Sequence, residues 1–229
     1  MGSIDFERDL NPEQRAAVTH GEGPQLVLAG AGSGKTRVIT YRVAYLAREL
    51  GIDPAAIVAV TFTNKAAGEM RERVERLLES PTLTTFVGTF HRFALGLLRR
   101  YGARVGLAPG FQIFDSDDQL ALVAKALEQE QLAESAFPPR SVLGAISSAK
   151  NRLLDPQAYE AEAQGFFERR VARVYGAYQK NLVQSSAVDF DDMLRLTVRL
   201  LAAEADVAQR LRDRIHYLLV DEFQDTNHA

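Results

Sequence analysis

Residues 29–36 read Ala29, Gly30, Ala31, Gly32, Ser33, Gly34, Lys35, Thr36. The spacing is that of a phosphate-binding loop, with Ala29 in the place of the usual first glycine. Such a loop works by turning backbone N–H groups into a tight ring around phosphate oxygens. A Cβ at Gly30, Gly32 or Gly34 would obstruct that approach or the dihedrals it needs. The loop opens a helix, so the positive end of the helix dipole faces the anion. Lys35 has the reach to meet β- and γ-phosphates, and the Thr36 hydroxyl can ligate Mg²⁺.

A phosphate loop needs a partner carboxylate for the metal. Residues 218–226, LLVDEFQDT, supply one: an apolar run ends in Asp221 and Glu222. Open α/β sheets place their ligands at the C-terminal ends of their strands. Asp221 would hold Mg²⁺ through its coordination shell, and Glu222 would orient and deprotonate an attacking water. Neighbouring residues of an extended chain point to opposite sides, which would give the two carboxylates different tasks. The plainer alternative is a charged strand end at the surface, and for the loop a glycine-rich turn with an exposed lysine.

These residues need elements to position them. Asn11 and Pro12 read as the cap and first position of a helix that Gly21 and Gly23 end. Gln25 to Ala29 reads as a short buried parallel strand. A helix runs from Lys35 toward Leu50, with Val38, Ile39, Val43 and Leu46 on one face. Ile57 to Phe62 is a second strand, Asn64 to Glu79 a helix, and Phe86 to Phe90 a third strand. Strand–helix–strand–helix–strand implies a parallel sheet with right-handed crossovers. From His91 to about Arg214 no strand is expected, and the candidate helices are 91–101, 116–131, 139–153, 157–183, 189–203 and 205–213. That is a helical insertion of about 120 residues. The strand pattern returns at Ile215 to Val220. Two domains follow: 1–91 with 214–229, and the insertion 92–213.

The chain has 229 residues, 46% apolar and 25% charged, with a formal charge of −3. This is ordinary globular composition and can bury a sizeable core. There is no cysteine, which excludes disulfides and thiolate metal sites, and the four histidines are scattered. No apolar run at the N-terminus resembles a signal peptide, and no stretch approaches a membrane span. A cytoplasmic, reducing location is expected. The charge does not announce a nucleic-acid binder, but a DNA track needs only a local basic stripe. Between Glu79 and Asp115 stand Arg92, Arg99, Arg100 and Arg104 without a carboxylate. A solvated helix face is the plainer account of that run.

Six segments together resemble the UvrD/Rep-like (PcrA-like) superfamily 1 DNA helicases. LNPEQRAAV (10–18) is similar to that family's Q motif, AGAGSGKT to motif I, and VTFTNKAAGEM (60–70) to motif Ia. VGTFHRF (87–93) is similar to its next DNA-contacting motif, VDFDDML (188–194) to its Id segment, and VDEFQDTN (220–227) to motif II. They occur in the family's order. The resemblance implies a RecA-like P-loop NTPase sheet (domain 1A), here incomplete, interrupted by a large all-helical insertion (domain 1B). It implies ATP and Mg²⁺ as cofactors, and single-stranded DNA and single-/double-strand junctions as partners. Duplex unwinding with 3′→5′ translocation by the full-length protein follows, as do repair or transcription partners.

The resemblance assigns Gln14 to the adenine and Arg37 to the nucleotide, and places Gln224 near the γ-phosphate, coupling it to DNA. It has Phe62 stack on a base, with Thr61, Asn64, Thr89 and His91 along the strand's backbone. Stacking on an aromatic ring suits any base sequence. Without the family, Phe62 reads rather as a core aromatic and His91 as an unliganded helix-terminal residue, and the resemblance reverses both readings. Asp189 and Phe190 read as a helix cap and its core anchor. In the family, motif II is followed by motif III, motifs IV to VI and a second RecA-like domain whose arginines speed hydrolysis by roughly 10³–10⁵. The chain is therefore read as an excerpt that binds ATP–Mg²⁺ weakly, hydrolyses it poorly and does not unwind DNA alone. The motif III strand would lie between the phosphate-loop strand and the motif II strand. Competing readings are a non-catalytic DNA- or partner-binding module and a RecB/AddA-like helicase–nuclease relative.

Overall fold

The computed structural model describes residues 4–30, 32–80 and 82–227. Contacts divide the chain into two units: one runs to Phe90 and resumes over Gln209–Asp225, the other covers His91–Ala208 and resumes at Thr226.

In the first unit the sheet forms where β-branched and small apolar residues run together. β1 (Ile57–Thr61) is buried along its whole length. It lies between β2 (Phe86–Thr89) and β5 (Tyr217–Val220), both parallel to it, in the order β2-β1-β5. Helices α1 (Pro12–Val18), α2 (Lys35–Arg48) and α3 (Asn64–Leu78) complete the unit. Val43 and Leu46 of α2, Met70 and Val74 of α3, and Ile57, Ala59 and Val87 of the strands close one apolar core. Of the apolar positions read at helical spacing on α2, Val43 and Leu46 turn into this core and Ile39 packs against it, whereas Val38 lines the groove described below.

The strand expected over Gln25 to Ala29 is not formed. These residues make no ladder, and Leu26 and Leu28 are 67% and 85% exposed. The sheet ends instead at β5, where Leu218 is exposed. Between that edge and the 25–28 segment runs a groove of 780 Å³, lined by Leu26, Leu28, Val38, Ile39 and Leu219 among others. An apolar run becomes a buried strand only when a neighbour supplies hydrogen bonds on its flank. Among the described residues none does so for this segment.

The second unit holds most of α4 (Phe90–Tyr101), then β3 (Gln112–Ile113), α5 (Ser116–Gln129), α6 (Pro139–Asn151), α7 (Pro156–Glu162), α8 (Phe166–Gln184), β4 (Ala187–Val188), α9 (Phe190–Ala203) and the start of α10 (Ala205–Arg214). Its core is built from Leu122, Val123 and Leu127 of α5, Val142 and Ile146 of α6, and Val174, Tyr175, Tyr178 and Leu182 of α8. Two expectations change here. The insertion is not all helical, because β3 and β4 pair in parallel, Gln112 with Ala187 and Ile113 with Val188. Two-residue strands are too short to show a period of two. The helix expected over 157–183 is two helices, and Gly165 caps the second in extended conformation.

Beneath the first turn of α9 lies a buried ionic cluster. Lys150 Nζ, wholly buried, lies 2.6 Å from Asp189 Oδ2 and 2.9 Å from Asp192 Oδ2. Tyr178 donates to Asp189 at 2.8 Å, and Arg195 lies 2.9 Å from Asp192. Asp189 also caps α9 through the Asp192 N–H, as the sequence suggests. Phe190 is not a core anchor: it is 47% exposed.

Candidate functional site

The first turn of α1 is held by a reciprocal cap. Asn11 accepts from the Gln14 N–H at 2.7 Å, and the Gln14 side-chain oxygen accepts from the Asn11 N–H at 3.2 Å. This leaves the Gln14 amide nitrogen to donate to the Ser33 carbonyl at 2.9 Å. The residue before the first apolar positions is thereby tied to the glycine loop.

Within the loop the glycines differ. Gly34 has φ +88°, a left-handed conformation that suits glycine, and it forms the N-cap of α2. A Cβ there would meet the Gln14 amide nitrogen at 2.8 Å. Gly32 also has positive φ, at +74°. Gly30 has neither a positive φ nor any protein atom within 4 Å of a Cβ, so no protein contact demands glycine there. Ser33 Oγ donates to the Gly30 carbonyl at 2.7 Å. Lys35 Nζ donates to the carbonyls of Ala29 at 3.4 Å and Gly30 at 3.5 Å, which folds its ammonium back over the loop. Ala31 lies outside the described residues.

Asp221 follows β5, and its N–H donates to the Val60 carbonyl at 2.9 Å, extending the ladder with β1 by one bond. Asp221 as a residue is 4% exposed. The Thr36 hydroxyl donates to Asp221 Oδ2 at 3.5 Å. Burial pushes the Asp221 carboxyl above its usual range, helped by the neighbouring Glu222 and opposed by the Glu222 N–H, Thr36 and Lys35. A buried carboxylate beside a second carboxylate is a site where a cation relieves an existing cost.

The separation of the two acids does not come from extended alternation. The strand stops at Val220, and Glu222 has φ +50°. A non-glycine residue in the left-handed region costs about 1–3 kcal/mol and turns the side chain to a new direction. The Glu222 N–H donates back to Asp221 Oδ1 at 3.1 Å, and Gln224 Nε2 donates to Glu222 Oε2 at 2.5 Å. Gln224 is therefore placed on the second acid of the pair.

The residues assigned to a nucleic-acid track in the first unit gather at one rim. Thr61 ends β1 and Thr89 ends β2, directly side by side in the parallel register. Both are buried, so their side chains face the protein. Phe62, 36% exposed, projects beyond the strand with its ring 5.2 Å from that of Phe90. Asn64 is exposed at the start of α3.

In the second unit, His91 is half-buried, and the Phe190 ring packs edge-on against it at 5.9 Å. Burial holds the His91 imidazole below its usual pKa, against the pull of Asp191. The arginine run is not a free basic stripe. Arg99 donates to the Phe111 carbonyl at 2.6 Å and lies over its ring, and Arg104 pairs with Glu204 and Asp206. The exposure of Phe190 and the seat of Arg37 over the Tyr41 ring are features of the fold beyond those expected from the sequence. A spacing of four residues from Arg37 was the available signal for Tyr41.

The architecture defines an α/β protein whose candidate groups collect at the C-terminal rim of a small parallel sheet. The UvrD/REP helicase N-terminal domain family matches residues 10–229, so the chain belongs to that family. A relative from Leuconostoc citreum, the ATP-dependent DNA helicase PcrA, is 47% identical over 221 residues, covering 96% of this chain and 30% of the relative. The protein of the same name from Bacillus subtilis (strain 168) is 44% identical over 220 residues, again 96% of this chain and 30% of its own length. The Staphylococcus aureus (strain COL) protein is 42% identical over 220 residues. The chain thus spans about 30% of the length of the curated relatives it matches.

Proposed function

We propose that this chain is the ATP-binding part of an ATP-dependent DNA helicase, and that its first unit is a RecA-like domain 1A and its second a domain 1B. The observation that carries the reading is the meeting of Thr36 and Asp221 at 3.5 Å, with Lys35 on the same loop. A hydroxyl and one buried carboxylate form a hard oxygen donor pair of the kind Mg²⁺ takes.

Gly32 and Gly34 hold the loop open for phosphate oxygens, and the N-terminus of α2 faces them. Lys35 leaves its two carbonyls to meet the β- and γ-phosphates. Thr36 and Asp221 would hold Mg²⁺, which would supply positive charge to offset the charge that develops during transfer. Glu222 accepts a proton from the attacking water, and Gln224, bonded to Glu222, senses the γ-phosphate. Gln14 reads the adenine with an amide that both donates and accepts. Phe62 stacks on a base of single-stranded DNA, with Thr61, Asn64, Thr89 and His91 along the backbone. In the whole protein, hydrolysis drives 3′→5′ translocation and unwinding from junctions, in the cytoplasm. Among the described residues no helix is long and apolar enough to cross a membrane.

Titration of the protein with a fluorescent ATP analogue, with and without Mg²⁺, tests the reading. Binding that needs Mg²⁺ and is lost in Lys35→Ala is expected. Equal binding by parent and Lys35→Ala would overturn it.

A further inference from the structure

Arg37 stands in the first turn of α2, one residue after Thr36, and is exposed. Its guanidinium carbon lies 5.2 Å from the centre of the Tyr41 ring, one helical turn further on. Tyr41 is itself fixed on other sides. Its hydroxyl lies 3.3 Å from Asp9 Oδ2, to which it donates, and the Phe6 ring meets it edge-on at 6.1 Å. Phe6 packs in the same way on Tyr45 at 5.7 Å. The Asp9 N–H donates to the Asp5 carbonyl at 2.8 Å, which closes the turn that carries both Phe6 and Asp9. The segment ahead of α1 thus clamps Tyr41, and Tyr41 carries Arg37. Arg37 and Gln14 flank the same point of the loop: a Cβ on Gly34 would sit 3.7 Å from Arg37 Cβ and 2.8 Å from the Gln14 amide nitrogen.

We infer that Tyr41 is a positioning residue for the base of the bound nucleotide, holding the Arg37 guanidinium where its plane can stack on a purine whose edge Gln14 reads. The inference rests on the nucleotide reading above. A free arginine surrenders rotamer freedom when a ligand orders it, and one already held on an aromatic ring surrenders less. A planar, delocalised guanidinium stacks on aromatic faces, as an ammonium does not. Such stacking favours any base, so Tyr41 tunes affinity and Gln14 tunes the choice of base.

The test compares Mg²⁺–ATP with Mg²⁺–tripolyphosphate, which has the phosphates and no base, by calorimetric titration of the intact chain. Tyr41→Ala is expected to weaken ATP about two- to fivefold, the scale of one exposed cation–π contact, and to leave tripolyphosphate unchanged. Tyr41→Phe keeps the ring and should bind ATP like the parent. Tyr41→Leu keeps apolar bulk and should lose ATP affinity as Tyr41→Ala does, so it decides the matter if Tyr41→Ala fails to fold. In an Arg37→Ala background the Tyr41→Ala change should cost nothing further. Parent-like ATP affinity in Tyr41→Leu, or equal weakening of both ligands, overturns the inference in favour of a purely structural tyrosine. Lys35→Ala is expected to lose both ligands. If it keeps both, the nucleotide reading itself is at fault, whatever Tyr41 does.

Discussion

The Thr36 hydroxyl and the Asp221 carboxylate meet at 3.5 Å across 185 residues of sequence. One comes from the first turn of a helix and the other from the end of a strand, so the contact exists only when the loop and the sheet are both in place. If this pair holds Mg²⁺, Thr36→Val should remove a metal ligand with little change in volume, whereas Thr36→Ser should retain it. The expected outcome is a loss of Mg²⁺-dependent nucleotide affinity of tenfold or more in Thr36→Val, about 1.4 kcal/mol or more, with Thr36→Ser near the parent. Magnesium titration at fixed nucleotide checks it, and an unchanged magnesium midpoint in Thr36→Val would count against the pair.

Asp221 also links function to stability. Burial and Glu222 raise its carboxyl above the ordinary range in the folded state. A group raised in this way contributes stability that is complete below the unfolded pKa and is lost as pH rises through the folded one. At neutral pH the ionised carboxylate is therefore a cost to the fold. Asp221→Asn should raise the melting temperature by a few degrees, on the scale of about 2–4 °C per kcal/mol for a chain of this size, while removing Mg²⁺-dependent binding. The gain should shrink as pH falls into the carboxylate range. Paired melting curves across pH read both effects, and a lower melting temperature for Asp221→Asn at pH 7 contradicts the account.

The sequence made β1, α2 and α3 readable because each carries its own pattern: a run of four apolar residues before Thr61 in a strand buried along its length, and helices whose inward residues recur every three or four positions. The run from Gly30 to Thr36 stands out in the sequence because a phosphate cradle would demand those residue types at that spacing. The 25–29 run was misread for a physical reason: it has strand composition, but pairing is a property of the neighbour, and at this edge the sheet stops at β5. β3 and β4 were too short to show alternation. The left-handed turn at Glu222 left no trace, since glutamate does not advertise positive φ. The clamp on Tyr41 was hidden because Phe6, Asp9 and Tyr41 come from separate segments.

Gly34→Ala tests the coupling between α1 and the loop. At φ +88° an alanine bears strain of about 1–2 kcal/mol, and its Cβ would press on the Gln14 amide at 2.8 Å. The variant should melt lower by an amount on that scale and bind nucleotide more weakly. Gln14→Ala added to Gly34→Ala removes the collision but not the dihedral strain. It should recover part of the stability and none of the affinity, as thermal melts with parallel nucleotide titrations would show. Gly30→Ala, which meets no protein atom, should leave the melting temperature nearly unchanged.

Phe62 offers a test of the DNA surface that separates stacking from charge. Its ring is partly exposed beside Phe90 at the end of β1. Loss of one stacked base costs about 1–3 kcal/mol, so Phe62→Ala should weaken oligothymidine binding roughly five- to 150-fold in the full-length protein. No phosphate contact is removed, so the slope of log affinity against log salt should stay the same. Fluorescence anisotropy at several salt concentrations measures both. Unchanged affinity in Phe62→Ala would indicate that Phe62 is a packing residue.

The buried cluster in the second unit makes a prediction of its own. Lys150 Nζ sits between Asp189 and Asp192 with no solvent contact. Burial and the adjacent Asp192 raise the Asp189 carboxyl, whereas Lys150 and Arg195 overcome burial to hold Asp192 low. Lys150→Met keeps most of the length of the side chain and removes the charge, which leaves Asp189 buried with only the Tyr178 hydroxyl and its backbone bond. Breaking a buried pair in this way costs about 3–5 kcal/mol, and the variant should unfold at correspondingly lower denaturant. Without its cation, Asp189 is raised further, so the variant gains stability from protonation as pH falls and loses it as pH rises. The stability gap between parent and Lys150→Met should therefore narrow from about pH 8 to about pH 5. Adding Asp189→Asn, which removes the stranded charge, should recover part of the loss at pH 8 and abolish that narrowing. A gap that stays constant with pH would mean that packing, and not the stranded carboxylate, sets the cost.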